Sequence, residues 1–230
     1  MFLNSSYLIF MLPAFILMMI AQWYVNSAFK RWSQIPNQSG LSGDEIAKRL
    51  ISHEGLFDVS VEQVQSRLSD HYDPREKVLR LSPAVSQGQS VAAAAIAAHE
   101  LGHAVQDNEN YGPLRLRAAL VPAVNIGSYL GWILLMVGFF LQITQVAWLG
   151  VFVFASGAVF ALATLPVELN ASQRARTMLS MAGLIGSDEE KRGVDRVLNA
   201  AAMTYVAALI TAVLQLLYYA SLVLGMGRRR

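Results

Sequence analysis

Four stretches of this chain carry no Asp, Glu, Lys or Arg and are each long enough to cross a bilayer: residues 7–25, 118–141, 146–165 and 202–225. A helix needs about 20 mostly apolar residues to span the hydrocarbon. In that solvent the backbone must satisfy its own polar groups, which leaves little choice but helix for such segments. The fold class is therefore a mainly α membrane protein with about four transmembrane helices. Hydrophobic residues make up 54% of the 230, and only 15% are charged, which leaves room for one modest polar domain beside the spans.

The charges are segregated. Every Asp and Glu, and every Lys and Arg except Arg228, Arg229 and Arg230, falls in residues 26–117 or 166–201. The short link at 142–145 makes the second and third spans a hairpin, so both polar regions are expected on one face of the membrane. Segment 7–25 lacks a preceding basic stretch and is followed by Lys30 and Arg31, so it reads as a retained anchor, not a cleaved signal. The excess of Lys and Arg near the span ends places both polar regions on the cytoplasmic side, although the terminal Arg triplet argues the other way. The net charge is +2 and no basic stripe is interleaved with aromatics, so no nucleic-acid partner is expected. There are no cysteines, so any metal must be held by His, Asp or Glu.

Within 26–117, Ser42 to Glu45 has the form of a capping box and opens a helix to about Ser52. Residues 57–59, 61–64 and 78–82 read as strands. Ser90 is placed to cap an Ala-rich helix from Val91 to about Asp107. The region 166–201 reads as helical, with Pro166 at a helix start, Gly183 and Gly186 interrupting, and Ser187 or Asp188 capping the next helix. In the third span, Ser156, Gly157 and Ala158 are small enough for close helix packing.

The Ala-rich helix contains His99-Glu100-Leu101-Gly102-His103. Residues four apart share a helix face, so the two imidazoles can converge on one ion while Glu100 reaches a water bound to it. Gly102 removes bulk beside the second histidine. The chain has only four histidines, too few for a di-iron histidine cluster, and Glu100-x-x-His103 is the only Glu-x-x-His pair, where a ferritin-like site needs two. Hydrolytic Zn²⁺ is the chemistry left. A catalytic zinc site takes three protein ligands and keeps one position open. The third ligand must come from His53, His71 or a carboxylate. Glu168 is the strongest candidate, because it comes directly after the third span and is the only acidic residue between Glu109 and Asp188. Ser172, one turn later, is placed to hydrogen-bond a ligand.

Longer blocks surround these residues. They are Asp70-His71-Tyr72-Asp73-Pro74-Arg75, Leu79-Arg80-Leu81-Ser82-Pro83, the stretch from Ala97 to Gln106, the stretch from Thr164 to Ser172, and the stretch from Leu198 to Ala208. On them the chain resembles the bacterial YugP-like family of membrane neutral zinc metallopeptidases over nearly its whole length. More distantly it is similar to the HtpX-like and CAAX-prenyl-protease gluzincins. In that wider class an Asp stands four residues after the ligand Glu, where this chain has Ser172. The resemblance implies a small α+β zincin-like domain at 26–117 carrying the HExxH helix, with 166–201 supplying the third ligand. It also implies peptidase activity on a peptide or membrane-protein substrate, in a multi-pass protein of the bacterial plasma membrane. In related gluzincins an edge strand before the active-site helix binds extended peptide. Leu79–Ser82 is either such an edge or a core strand.

The expected roles can then be assigned. His99, His103 and Glu168 hold zinc, Glu100 is the general base, and His71, in a turn before the strand, is a transition-state donor, with Tyr72, Arg176 and Tyr205 as other candidates. His53 is expected at the surface, and Arg174 and Arg176 near lipid headgroups or helix ends. Two other readings compete: a zinc-stabilised membrane scaffold without turnover, which would have no need of Glu100, and an intramembrane protease. Nothing in the sequence sets the oligomeric state.

Overall fold

The computed structural model describes residues 5–65 and 69–227. Eight helices and three short strands succeed one another in these stretches: α1 (Ser5–Trp32), α2 (Gly43–Glu54), β1 (Ser60–Gln63), β2 (His71–Asp73), β3 (Val78–Leu81), α3 (Pro83–Ser86), α4 (Val91–Asn108), α5 (Gly112–Phe140), α6 (Thr144–Phe154), α7 (Ser156–Met181) and α8 (Asp188–Gly227). Four helical runs are long and apolar enough to span a membrane: Tyr7–Trp32, Gly112–Phe140, Thr144–Met181 and Asp188–Met226. The Arg triplet at the C-terminus lies outside the described residues.

The chain separates into two compact units. One takes Met1–Ala21, Arg115–Pro166 and Thr204–Arg230; the other takes Gln22–Leu114 and Val167–Met203. In the first, glycines set the helix spacing. A Cβ at Gly138 would lie 2.4 Å from the Ala147 nitrogen, and one at Gly150 would lie 2.6 Å from the Leu135 nitrogen. Backbones this close are how apolar helices associate where water supplies no driving force. Leu135, Ala147, Val151 and Val223 are buried together there. Of the small residues in the third span, Ser156 does face Gly127, but a Cβ at Gly157 would meet nothing within 4 Å.

The second unit is built around α4. Its Val91, Ala92, Ala93, Ala94, Ala95, Ala97 and Ala98 are all buried, which the small side chains permit in a helix covered on several faces. Ser90 caps it by accepting a hydrogen bond from the Ala93 N–H. Helix α2 carries the expected capping box of Ser42 and Glu45 and closes on Gly55 in the left-handed conformation, φ 69°.

The small sheet has the order β1-β3-β2, with β1 parallel and β2 antiparallel to β3. Strand β3 is therefore central, and both of its edges are used. Leu79 and Leu81 are fully buried. This corrects one alternative for Leu79–Ser82: it is a core strand, not an open edge. The alternation at 57–59 and 61–64 suggests two strands; the structure has one, at Ser60–Gln63. Residues 71–73, expected in a turn, form β2 by pairing with β3.

Pro166, expected at a helix start, lies inside α7. Its missing N–H costs one backbone hydrogen bond, a loss that packed helices in membranes tolerate. Helix α7 ends where Gly183 takes φ 64°. Ser187 and Glu190 then cap α8 reciprocally: the Ser187 hydroxyl accepts from the Glu190 N–H at 3.1 Å, and the Glu190 carboxylate accepts from the Ser187 N–H at 3.1 Å.

Candidate metal centre

Helix α4 carries His99 and His103 four residues apart, and α7 brings Glu168 to them. The Glu168 Oε2 atom lies 3.3 Å from His99 Nε2 and 3.6 Å from His103 Nε2. These three residues form the metal-competent cluster among the described residues, with one ligand atom of each within 4.8 Å of the others. A tetrahedral zinc ion with bonds of about 2.0–2.1 Å separates its ligand atoms by roughly 3.3 Å. The two spacings from Glu168, 3.3 and 3.6 Å, are close to that requirement.

Gly102 is what lets the two helices meet. A Cβ there would sit 2.7 Å from the Ala171 carbonyl oxygen, so α7 packs its backbone directly onto α4. Ala171 lies between Glu168 and Ser172, and this contact delivers both side chains to the histidine face. Glu168 is 2% exposed and Ser172 3%, so the carboxylate has been taken almost wholly out of water.

The outer nitrogens of both histidines are tethered. His99 Nδ1 is 3.2 Å from the Ser172 hydroxyl. His103 Nδ1 is 3.0 Å from the Gln106 side-chain oxygen. The fully buried Gln106 is itself fixed, because its amide N–H groups donate to the Val167 carbonyl at 2.8 Å and to Asn170 Oδ1 at 2.9 Å. A carbonyl can only accept, so the Gln106 oxygen must face His103, and His103 Nδ1 must carry the proton. A neutral His103 then presents the lone pair of Nε2 to a buried carboxylate. Two acceptors facing each other out of water need a cation between them or a proton on the ring. The donor set therefore fits zinc on grounds of chemistry as well as distance.

The proton affinities agree with this. Burial works against an imidazolium at His103, but the Glu168 and Glu100 carboxylates outweigh it and raise its pKa above the ordinary histidine value. Glu100 is half-buried on α4, close enough to His99, His103, Glu168 and Asp70 to feel their charges. Desolvation pushes its carboxyl up, with the two histidines pulling it down.

His71 is not brought to this cluster. It is exposed, and its Nδ1 is held 2.7 Å from the Ser69 carbonyl. Its neighbour Tyr72 faces α4, donating to Asp107 at 3.0 Å, and successive strand residues point to opposite faces. His71 therefore faces away from α4, and the donor role expected of it has no geometric support. Burial and the Asp107 carboxylate raise the pKa of Tyr72. Arg176 is occupied by Asp195 at 2.6 Å and Asn199 at 2.7 Å. Arg174 meets Glu109, the C-cap of α4, at 2.6 Å, so of the lipid headgroups or helix ends expected for these arginines it takes a helix end. Tyr205 belongs to the other unit. His53 contacts Glu54 at the surface, in keeping with its position at a helix end.

Gln106 and Asn170 belong to the hydrogen-bonded surround of His103, and motif reasoning misses them. Gln106 stands three residues after His103, on the same helix face, and that spacing is the signal that could have found it.

Two comparisons with known proteins bear on this site. The profile of a family described as "putative neutral zinc metallopeptidase" matches residues 7–224. A protein of Bacillus subtilis (strain 168) named "putative membrane protease YugP" is 42% identical over 205 residues, covering 89% of this chain and 91% of that one. No solved structure matches.

Proposed function

We propose that this chain, which belongs to the family of neutral zinc metallopeptidases, is a membrane-embedded zinc-dependent endopeptidase acting on membrane or membrane-proximal proteins. The observation that carries the reading is the convergence of His99, His103 and Glu168, with the outer nitrogens of both histidines held by Ser172 and Gln106 and with Glu100 beside them on α4. These three residues would hold the ion. Bound zinc would supply Lewis acidity to a water and to the peptide carbonyl. Glu100 accepts the proton that the water gives up, in a half-buried setting that favours passing it on to the leaving amine. Ser172 and Gln106 keep the imidazoles oriented, and Gly102 keeps α7 close enough for Glu168 to reach.

An apolar cavity of about 750 Å³ in the same unit supports a substrate with a large apolar side chain. Val25, Phe29, Ile96 and Val197 line it. Ile96 is one helical turn before Glu100 on the same face of α4, so the cavity lies within a side chain's reach of the catalytic face. The segregation of charge supports a cytoplasmic active site in the bacterial plasma membrane.

Glu100→Gln is the test. The variant should retain zinc and lose peptide hydrolysis in lipid-reconstituted protein, and membranes carrying it should accumulate proteins that the wild type cleaves. A wild type that binds zinc yet cleaves nothing across a broad peptide library would instead favour the scaffold reading.

A further inference from the structure

Away from the metal centre, the C-terminal part of α1 and the first turns of α8 enclose a second cavity, of about 520 Å³. Arg31 from α1 and Arg192 and Arg196 from α8 line it, with the rings of Trp23 and Trp32. Glu189 is its one carboxylate. The three arginines are exposed, and they gather at one place. Arg192 and Arg196 are four apart and share one face of α8. Arg31 stacks over the Trp32 ring, with its guanidinium 5.4 Å from the centroid. The two helices are pressed together here, since a Cβ at Gly193 would lie 2.5 Å from the Trp32 ring.

Gathering like charges in this way costs free energy unless a counter-charge answers them. Three other arginines of this unit have one: Arg80 meets Asp73, Arg174 meets Glu109, and Arg176 meets Asp195. Arg31, Arg192 and Arg196 have no carboxylate within 4.0 Å among the described residues. All three are exposed, so an anion from outside can reach them.

Position says which anion. Arg31 is in the last turn of α1, a helix with no other charge than its neighbour Lys30. Arg192 and Arg196 lie just ahead of the uncharged stretch of α8, which begins at 202. Both are helices long and apolar enough to span a membrane, so the cavity sits at their polar ends. Trp23 is 69% exposed on the same helix, and exposed tryptophans beside span ends favour the headgroup layer. We propose that this cavity is a binding site for the phosphate headgroup of an anionic phospholipid, with the guanidiniums holding the phosphate and the tryptophans flanking the glycerol region. The site is independent of the peptidase reading.

The test uses the full-length protein, purified in a neutral detergent and supplemented with phosphatidylglycerol, phosphatidylcholine or inorganic phosphate. Phosphatidylglycerol should raise the melting temperature well beyond phosphatidylcholine, and phosphate alone should not. Arg192→Gln with Arg196→Gln should lose that increment and weaken phosphatidylglycerol binding by roughly 25-fold, about five-fold for each arginine. Zinc content and the melting temperature in phosphatidylcholine should not move. Lys30→Gln with Lys191→Gln, which removes two nearby exposed charges outside the cavity, should keep the increment. An equal loss in that control would mean diffuse surface charge and would overturn the site. An equal response to inorganic phosphate would overturn the lipid assignment. If the double arginine variant does not fold, Arg192→Gln alone set against Arg192→Lys gives the same decision: retention of phosphatidylglycerol binding in both refutes the proposal.

Discussion

Gln106 shows how much of a metal centre can hang on one uncharged side chain. It orients His103 and ties α4 to Val167 and Asn170 on α7 at the same time. Gln106→Ala should lower zinc affinity by about 10–100-fold, the usual cost of removing a ligand's hydrogen-bond partner. Competition with a chromogenic chelator would measure it. Ser172→Ala should cost less, because a hydroxyl orients His99 more weakly than a fixed amide oxygen orients His103. The raised His103 pKa gives a pH dependence whose sign is fixed. The metal-free ring holds its second proton to higher pH than an ordinary histidine, and that proton must leave Nε2 before a metal can bind. Zinc affinity should therefore rise with pH, by about tenfold per pH unit, and level off once the pH exceeds that pKa. Calorimetry in buffers of different ionisation enthalpy would count the proton released. At this scale the sequence is most informative for His99, His103 and Glu168, whose spacing and position speak of ligation, and for Glu100, whose place beside His99 speaks of a base. It is least informative for His71, because a residue type states what a side chain can do but not which face of a strand it will occupy.

The element that decides the site is the pair α4 and α7, held at backbone contact by Gly102. Gly102→Val would drive a side chain into the Ala171 carbonyl, with no flexible neighbour to give way. It should destabilise the protein by about 1–3 kcal/mol, as overpacking does, and should also displace Glu168 and reduce zinc occupancy. Thermal unfolding together with metal content would show the two losses in parallel. Helix α4 is legible because alanine propensity, a Ser cap and burial all favour the same state. Strand β2 is not, because three residues become a strand only through pairing with β3, a contact their own composition does not announce. Pro166 misleads for a related reason: local preference puts it at a helix start, and packing carries the helix through it.

For the molecule as a whole, the apolar cavity beside Ile96 bears on what is cut. Filling it with Ile96→Trp should reduce kcat/KM for substrates with a large apolar residue next to the scissile bond, while cleavage of sequences with alanine there is retained. A mixed peptide library read by mass spectrometry would resolve the two classes. The four spans and the placement of charge are plain in the sequence, since hydrocarbon tolerates so few alternatives. The change of composition also marks the two units, since charge is confined to 26–117 and 166–201, the terminal Arg triplet aside, and the second unit takes Gln22–Leu114 and Val167–Met203. Less legible is that single helices run through both: α1, α5, α7 and α8 each belong to the two units.

The metal cluster also has a chronology. His99 and His103 leave the ribosome well before Glu168, and the whole of α5 and α6 is made in between. A nascent chain therefore owns a base and two ligands long before it owns a third. Only when the chain has been made through the second span and into α7 can Glu168 complete the set. On the proposed reading, the site lacks its third ligand until the chain has been made as far as α7.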